Sequence, residues 1–187
     1  MKRRHAFFLL WLLPLIRSDA SADLSASDRD QVKVPLQAQY FALEQVRLLD
    51  GPFKRAMELV QNYLLALPVD RLLHNFYINA GLPSTVKPLG GWEEPSCELR
   101  GHFVGHYLAA CGLMYAATGD ARFKAKGDSV VAGLQACQER LGNGYLSAFP
   151  IALIDRVESG QRVWAPYYTL HKILAGLLTM HLHGGND

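Results

Sequence analysis

Between Leu99 and Thr118 the chain reads LRGHFVGHYLAACGLMYAAT, a stretch whose only full charge is Arg100 and which no proline interrupts. A helix that is apolar on nearly every face is buried on nearly every face, so this segment predicts the central helix of an all-α core. On a helical wheel Glu98, His102 and His106 stand one above another at i, i+4 and i+8, making a single polar seam. Gly101, Gly105 and Gly112 form an adjacent stripe without side chains. Glycine inside a helix costs up to about 1 kcal/mol relative to alanine, so three of them point to close approach by another backbone. A buried helix with one acidic and imidazole seam has the character of a pocket wall.

Beyond Thr118 the same design recurs. Gly119-Asp120 turns the chain into a helix in which Phe123, Gly127, Val130, Leu134, Cys137 and Leu141 recur at helical spacing while Arg122, Lys124, Lys126, Asp128 and Glu139 face away. Gly142-Asn143-Gly144 ends it, residues 145–150 form a loop, and residues 157–165 read as irregular or weakly extended. Residues 167–182 are again nearly free of charge, Lys172 excepted. Aligning His106 with His171 places Leu113 at Leu178 and Gly119 at Gly184. Two inner helices 65 residues apart, with an outer helix between them, are the signature of stacked helical hairpins whose neighbours complete one another's core. Two hairpins do not close a ring, so the expectation is the N-terminal part of a larger domain, beginning near residue 39 and lacking its C-terminal part.

Upstream, residues 39–49 read as an extended segment ending at Asp50-Gly51-Pro52. Residues 53–67 form an amphipathic helix that Pro68 stops, and Asp70 caps a short second helix through Tyr77. Residues 81–91 are loop. At the front, Lys2, Arg3 and Arg4 precede an apolar run from Ala6 to Ile16 and a small-residue Ala20-Ser21-Ala22 site, the pattern of a cleaved signal peptide over residues 1–22. The run is too short to span a bilayer, which takes about 20 residues, so the mature chain is expected to be secreted or periplasmic, with no stable membrane anchor. Residues 23–38 are a polar, flexible lead-in.

Cleavage takes four of the 19 Lys+Arg and one of the 17 Asp+Glu, leaving 15 against 16 and a net charge of −1 in place of +2. Nothing in that balance points to nucleic acid. Cys97, Cys111 and Cys137 cannot all pair with one another. The last two lie within apolar helical patterns and read as small buried hydrophobes, while a bridge or a partnerless thiol at Cys97 stays open.

Six motifs in order carry a resemblance. They are Val46-Arg47-Leu48-Leu49-Asp50-Gly51-Pro52-Phe53, Asp70-Arg71-Leu72-Leu73-His74-Asn75-Phe76, Gly90-Gly91-Trp92-Glu93, Leu99-Arg100-Gly101-His102 with Gly105-His106-Tyr107, Asn143-Gly144-Tyr145-Leu146, and Tyr167-Tyr168-Thr169-Leu170-His171-Lys172. Over roughly residues 40–187 the chain resembles the catalytic domain of glycoside hydrolase family 127, the β-L-arabinofuranosidases. The resemblance implies an (α/α)6 barrel with a sugar pocket at one end, of which this chain holds the first two to three hairpins. It also implies a retaining mechanism in which zinc holds a cysteine thiolate nucleophile and a glutamate serves as acid/base. None of the three cysteines here lies in a matching motif, so no catalytic residue, no metal ligand and no cofactor is assigned to this chain; zinc is expected in the full-length family domain. His171, in the YYTLHK motif, corresponds to a sugar-contacting histidine, and Trp92, Glu93, His102 and His106 are further contributors. The expected partner is a carbohydrate, an arabinose-containing plant glycan.

Each candidate has a plainer reading. His102 and His106 have the spacing of a zinc-protease pair, but Phe103 stands where the general-base glutamate belongs. They serve as hydrogen-bonded core histidines or as a sugar-facing seam. Glu93 and Glu94 complement a helix N-terminus without any chemistry. Trp92, Tyr145, Trp164, Tyr167 and Tyr168, in loops or at helix starts, stack on sugar faces or simply fill space between loops. A different (α/α)6 sugar enzyme, of uronyl hydrolase or epimerase type, and a non-catalytic sugar-binding fragment remain alternatives.

Overall fold

Proline and glycine set the boundaries of nearly every element. A computed structural model describes residue 38 and residues 40–186; the expected signal peptide and all but one residue of the lead-in lie outside the described residues. Six α-helices follow in order: α1 (Pro52–Ala66), α2 (Val69–Asn79), α3 (His102–Thr118), α4 (Ala121–Leu141), α5 (Ala152–Glu158) and α6 (Pro166–Thr179), the last running into a π-turn, Met180–Gly184. No strand occurs among the described residues. The architecture is all-α, part of an (α/α)6 barrel in which α3 and α6 are neighbouring inner helices.

α1 and α6 each begin on a proline at their first turn, where the missing N–H would have had no partner. Pro68 ends α1 and stands at the N-cap of α2. Asp70 is therefore not that cap: it sits inside the first turn, and its Oδ1 accepts from the adjacent Arg71 N–H at 2.8 Å. The expected extended segment before α1 carries a 3-10 turn at Leu43–Gln45 and is otherwise irregular, held to the end of α3 by Arg47 Nη1 donating to the Ala117 carbonyl at 3.0 Å. The helix α5 falls between two expected loops, and only residues 159–165 keep the irregular course read for residues 157–165.

The core gathers Leu64, Leu72, Leu73 and Phe76 from the first helices, Tyr107, Leu108 and Cys111 from α3, and Phe123, Val130, Leu134 and Cys137 from α4. Ile173 and Met180 join from α6 and its tail. Each large side chain fully removed from water contributes about 1.5–3 kcal/mol. The outer helix α4 buries the stripe its periodicity predicts, from Phe123 to Cys137, with Leu141 only half-buried. The last-turn carbonyls of α1, which have no intrahelical donor, are met from outside. Tyr107 Oη donates to the Leu64 carbonyl at 3.0 Å, and just beyond the helix Lys126 Nζ donates to the Leu67 carbonyl at 2.7 Å.

Glycine explains why α3 and α6 lie so close. A Cβ on Gly105 would run into the Lys172 carbonyl, and one on Gly176 into the Gly105 carbonyl. A Cβ on Gly112 would meet the Thr179 carbonyl at 3.1 Å. Two members of the expected stripe thus serve backbone contact. The third does not: Gly101 is the N-cap of α3, at φ 99°, a left-handed conformation that side chains disfavour. With the helix starting only at His102, Glu98 lies in the preceding loop and the expected Glu98–His102–His106 seam is broken. The burial of α3 is also one-sided, since His106 and Leu113, seven residues apart on one face, are exposed.

Candidate functional site

α3 starts without a Ser, Thr, Asp or Asn at its N-cap, and its free N–H groups are met by a carboxylate from upstream. Glu93, on a short 3-10 turn (Gly91–Glu93), is buried with Oε2 accepting from Gly101 N at 2.6 Å and Oε1 from Phe103 N at 3.0 Å. Oε1 also lies 2.7 Å from His102 Nδ1. Asn75 Nδ2 pins the turn by donating to the Glu93 carbonyl at 2.7 Å. A carboxylate at this end of a helix is favoured by the aligned peptide dipoles. Burial pushes the Glu93 carboxyl above the ordinary range, against the two N–H donors and the imidazole that favour its charged form.

Rings gather above this buried carboxylate. Trp92 stands 6.0 Å from His102 and 6.2 Å, edge-on, from Trp164. His102 lies 5.9 Å from His106 and 6.2 Å from Tyr168. His106 Nε2 and Tyr168 Oη are 3.4 Å apart, linking α3 to α6. Lys172 Nζ sits 5.0 Å above the Tyr168 ring, an attraction between the cation and the ring quadrupole. Burial pushes the His106 imidazole below its ordinary value, with the Lys172 charge and the neighbouring His102 ring adding to it; its neutral ring can both donate and accept. Trp92 remains 63% exposed and Trp164 49%. A cleft of about 330 Å³ opens between Tyr63, Leu89, Trp92, His102 and Phe103.

Of the sequence-predicted residues, Trp92, His102, His106, Trp164 and Tyr168 come together here, with Glu93 beneath them. Tyr167 is exposed and turned toward α5, its Oη donating to Glu158 Oε1 at 3.4 Å. His171 is exposed one turn further along α6 and makes no hydrogen bond among the described residues. Tyr145 keeps to its own loop, its Oη donating to the Phe149 carbonyl at 2.9 Å; burial pushes that phenol up to about 12.

Sequence reasoning missed two contributors. Lys172 stood out as the lone charge of its helix and as the end of the YYTLHK motif, with no role assigned to it. Glu98, assigned to a helical seam, instead anchors the second tryptophan: Oε2 accepts from Trp164 N at 2.7 Å and Oε1 from Arg156 Nη1 at 3.1 Å. The Trp164 N–H holds its carboxyl below the ordinary range, against the desolvation that opposes it and with Arg156 adding to the lowering. Next to Trp164, Ala165 adopts φ 52°, ψ 39°, the one non-glycine with positive φ among the described residues. That conformation is doubly disfavoured, for alanine and for a residue preceding proline, and persists where surrounding contacts impose it.

These donors do not suit a thiolate-held zinc ion. Cys111 and Cys137 are buried among apolar side chains, with burial pushing each thiol up to about 11, whereas a ligand thiol must be deprotonated. His102 Nδ1 is committed to Glu93, and no group of three His, Cys, Asp or Glu is gathered for a metal among the described residues. No step through zinc is derived from them.

Residues 45–187 match the family model described as the β-L-arabinofuranosidase, GH127 catalytic domain. No curated protein matches the chain.

Proposed function

The chain belongs to the GH127 β-L-arabinofuranosidase catalytic-domain family, and from that premise we propose that the ring cluster at the head of α3 and α6 is part of the pocket wall for a β-L-arabinofuranosyl group. The observation that carries this reading is the convergence of Trp92, Trp164 and Tyr168 with His102 and His106, from three separate stretches of chain, beside an open cleft. A furanose offers C–H groups that pack on indole faces and hydroxyls that pair with imidazole and phenol groups. In this role the tryptophans bind, His106 and Tyr168 orient hydroxyls, and Glu98 holds Trp164 in place. Neither Glu93 nor Glu98 is given a proton-transfer step, since both carboxylates are committed to backbone N–H groups. Cleavage would need an attacking group and a proton donor facing each other across the sugar, and the described residues are assigned neither. The natural ligand on this reading is an arabinose-containing plant glycan met by an exported protein.

Saturation-transfer NMR on the full chain with methyl β-L-arabinofuranoside tests the proposal. Transfer to the sugar is expected, with weaker or no transfer from methyl α-D-glucopyranoside, and Trp164→Ala lowers the affinity about ten-fold or more, the worth of roughly 1.4 kcal/mol. Binding that is absent at millimolar sugar, or unchanged in both Trp92→Ala and Trp164→Ala, refutes it.

A further inference from the structure

The geometry points to Glu93 as a positioning residue that fixes the tautomer of His102, so that Nε2 of that ring presents a lone pair to a sugar hydroxyl in the cleft. This rests on the pocket reading above. His102 Nδ1 has two neighbours, Glu93 Oε1 at 2.7 Å and the Leu99 carbonyl at 3.1 Å, and both are acceptors. The proton on this edge of the ring is therefore on Nδ1, and in the neutral imidazole Nε2 is left unprotonated. The same Leu99 carbonyl takes the hydroxyl proton of buried Thr169 at 3.1 Å, so it is locked in place as an acceptor.

Glu93 cannot turn away to release the ring. Its two oxygens face Gly101 N–H, Phe103 N–H and His102 Nδ1, three donors and no acceptor. His102 is only 8% exposed, yet Nε2 has no partner among the described residues and is not among their enclosed, unsatisfied atoms. The ring lines the cleft of about 330 Å³ beside Trp92. A nitrogen with one lone pair and one open direction selects a donor there, and an O–H of a sugar packed on Trp92 is such a donor. Ordering the imidazole through a carboxylate on its far nitrogen is the arrangement by which proteins choose which ring nitrogen does the work.

Long-range ¹H–¹⁵N NMR of the full chain at pH 8 reads the tautomer directly, with His102 assigned by the signal lost in His102→Asn. Nδ1 is expected to resonate as protonated and Nε2 as unprotonated, and Glu93→Gln shifts the ring toward the Nε2–H form. A protonated Nε2 in the wild-type chain, as the other tautomer or as imidazolium, overturns the inference while leaving the pocket reading standing. The wild-type measurement decides this even if Glu93→Gln fails to fold. In the binding arm, His102→Asn keeps an N–H where Nδ1 stood and removes Nε2. It is expected to melt close to the wild type and to bind methyl β-L-arabinofuranoside about ten-fold more weakly, the worth of one net hydrogen bond. Unchanged binding in that variant overturns the acceptor role. A correct tautomer in a wild-type chain that binds no arabinoside refutes the pocket reading and the acceptor role with it.

Discussion

The inner helices α3 and α6 are one design seen with one face covered and, among the described residues, with that face open. On α3 the face carrying Gly105 and Gly112 is covered by the backbone of α6. Sixty-five residues on, the equivalent positions are Leu170 and Leu177. With Leu174 they line a cleft of about 300 Å³ beside Gln138 and Tyr145, and Leu174 and Leu177 line another of about 330 Å³ beside Val131. Leu174 is 65% and Leu178 56% exposed. The glycine positions of α3 are thus sealed by backbone, while their leucine counterparts on α6 are half-buried and line open clefts. The difference teaches that an inner helix here is stabilised less by its own sequence than by whatever lies against it.

The most damaging way to break the comparison is to push the two helices apart. Gly105→Val places a branched side chain against the Lys172 carbonyl and is expected to cost about 3 kcal/mol. It would appear as loss of the cooperative transition in a thermal circular-dichroism melt of the full chain. A paired truncation comes next. Leu108→Ala, at a fully buried position of α3, should cost about 2–5 kcal/mol, whereas Leu174→Ala on the open face of α6 should stay within about 0.5 kcal/mol in a solution dilute enough to keep the chain monomeric. Equal losses in the two would mean that the open face is covered in solution.

That cover can be tested separately. A contiguous leucine face of this kind drives association, so sedimentation of the full chain should depend on concentration. The double variant Leu174→Glu/Leu178→Glu should lose that dependence with little change in melting temperature. The smallest effect concerns the tie between the copies. Glu98 holds Trp164, at the start of α6, from the loop before α3. Because its folded-state carboxyl is held below the ordinary value, its contribution is complete above the unfolded carboxylate range and is lost as pH falls through the lower folded value. Tryptophan emission should change in that acid window and be less pH-dependent there in Glu98→Gln, with a stability cost at neutral pH under about 1 kcal/mol for so exposed a pair.

Much of this was legible in residue spacing. The stripe of α4 and the recurrence of α3 in α6 follow from a 3.6-residue period, and the need for close approach follows from glycine in an otherwise apolar helix. The misreadings share one cause, that helix starts are decided by contacts far along the chain. Nothing local distinguishes a helical Gly101 from a left-handed one, and the group that caps α3 is Glu93, eight residues before that N-cap. Once Gly101 leaves the helix, Glu98 leaves the seam and becomes available to Trp164. Asp70 looked like a cap because its type is right, yet Pro68 already occupied that position. Helix α5, only seven residues long, is too short to carry a periodic signal. The rings of the proposed pocket could be nominated as aromatic residues in loops. That Trp164 joins Trp92 while Tyr145 does not depends on which backbone N–H a distant carboxylate accepts.

The contact between Gly105 and the backbone of α6 also governs something several ångströms away. With carbonyls of one helix seated where the other has no Cβ, neither can slide or roll by a residue without a collision. The heights of His106 and Tyr168 are therefore indexed to each other from below, and the spacing between their polar tips is inherited from a glycine outside that pair. A methyl group added at that seat would shift α6 against α3 and change the spacing of that pair from underneath.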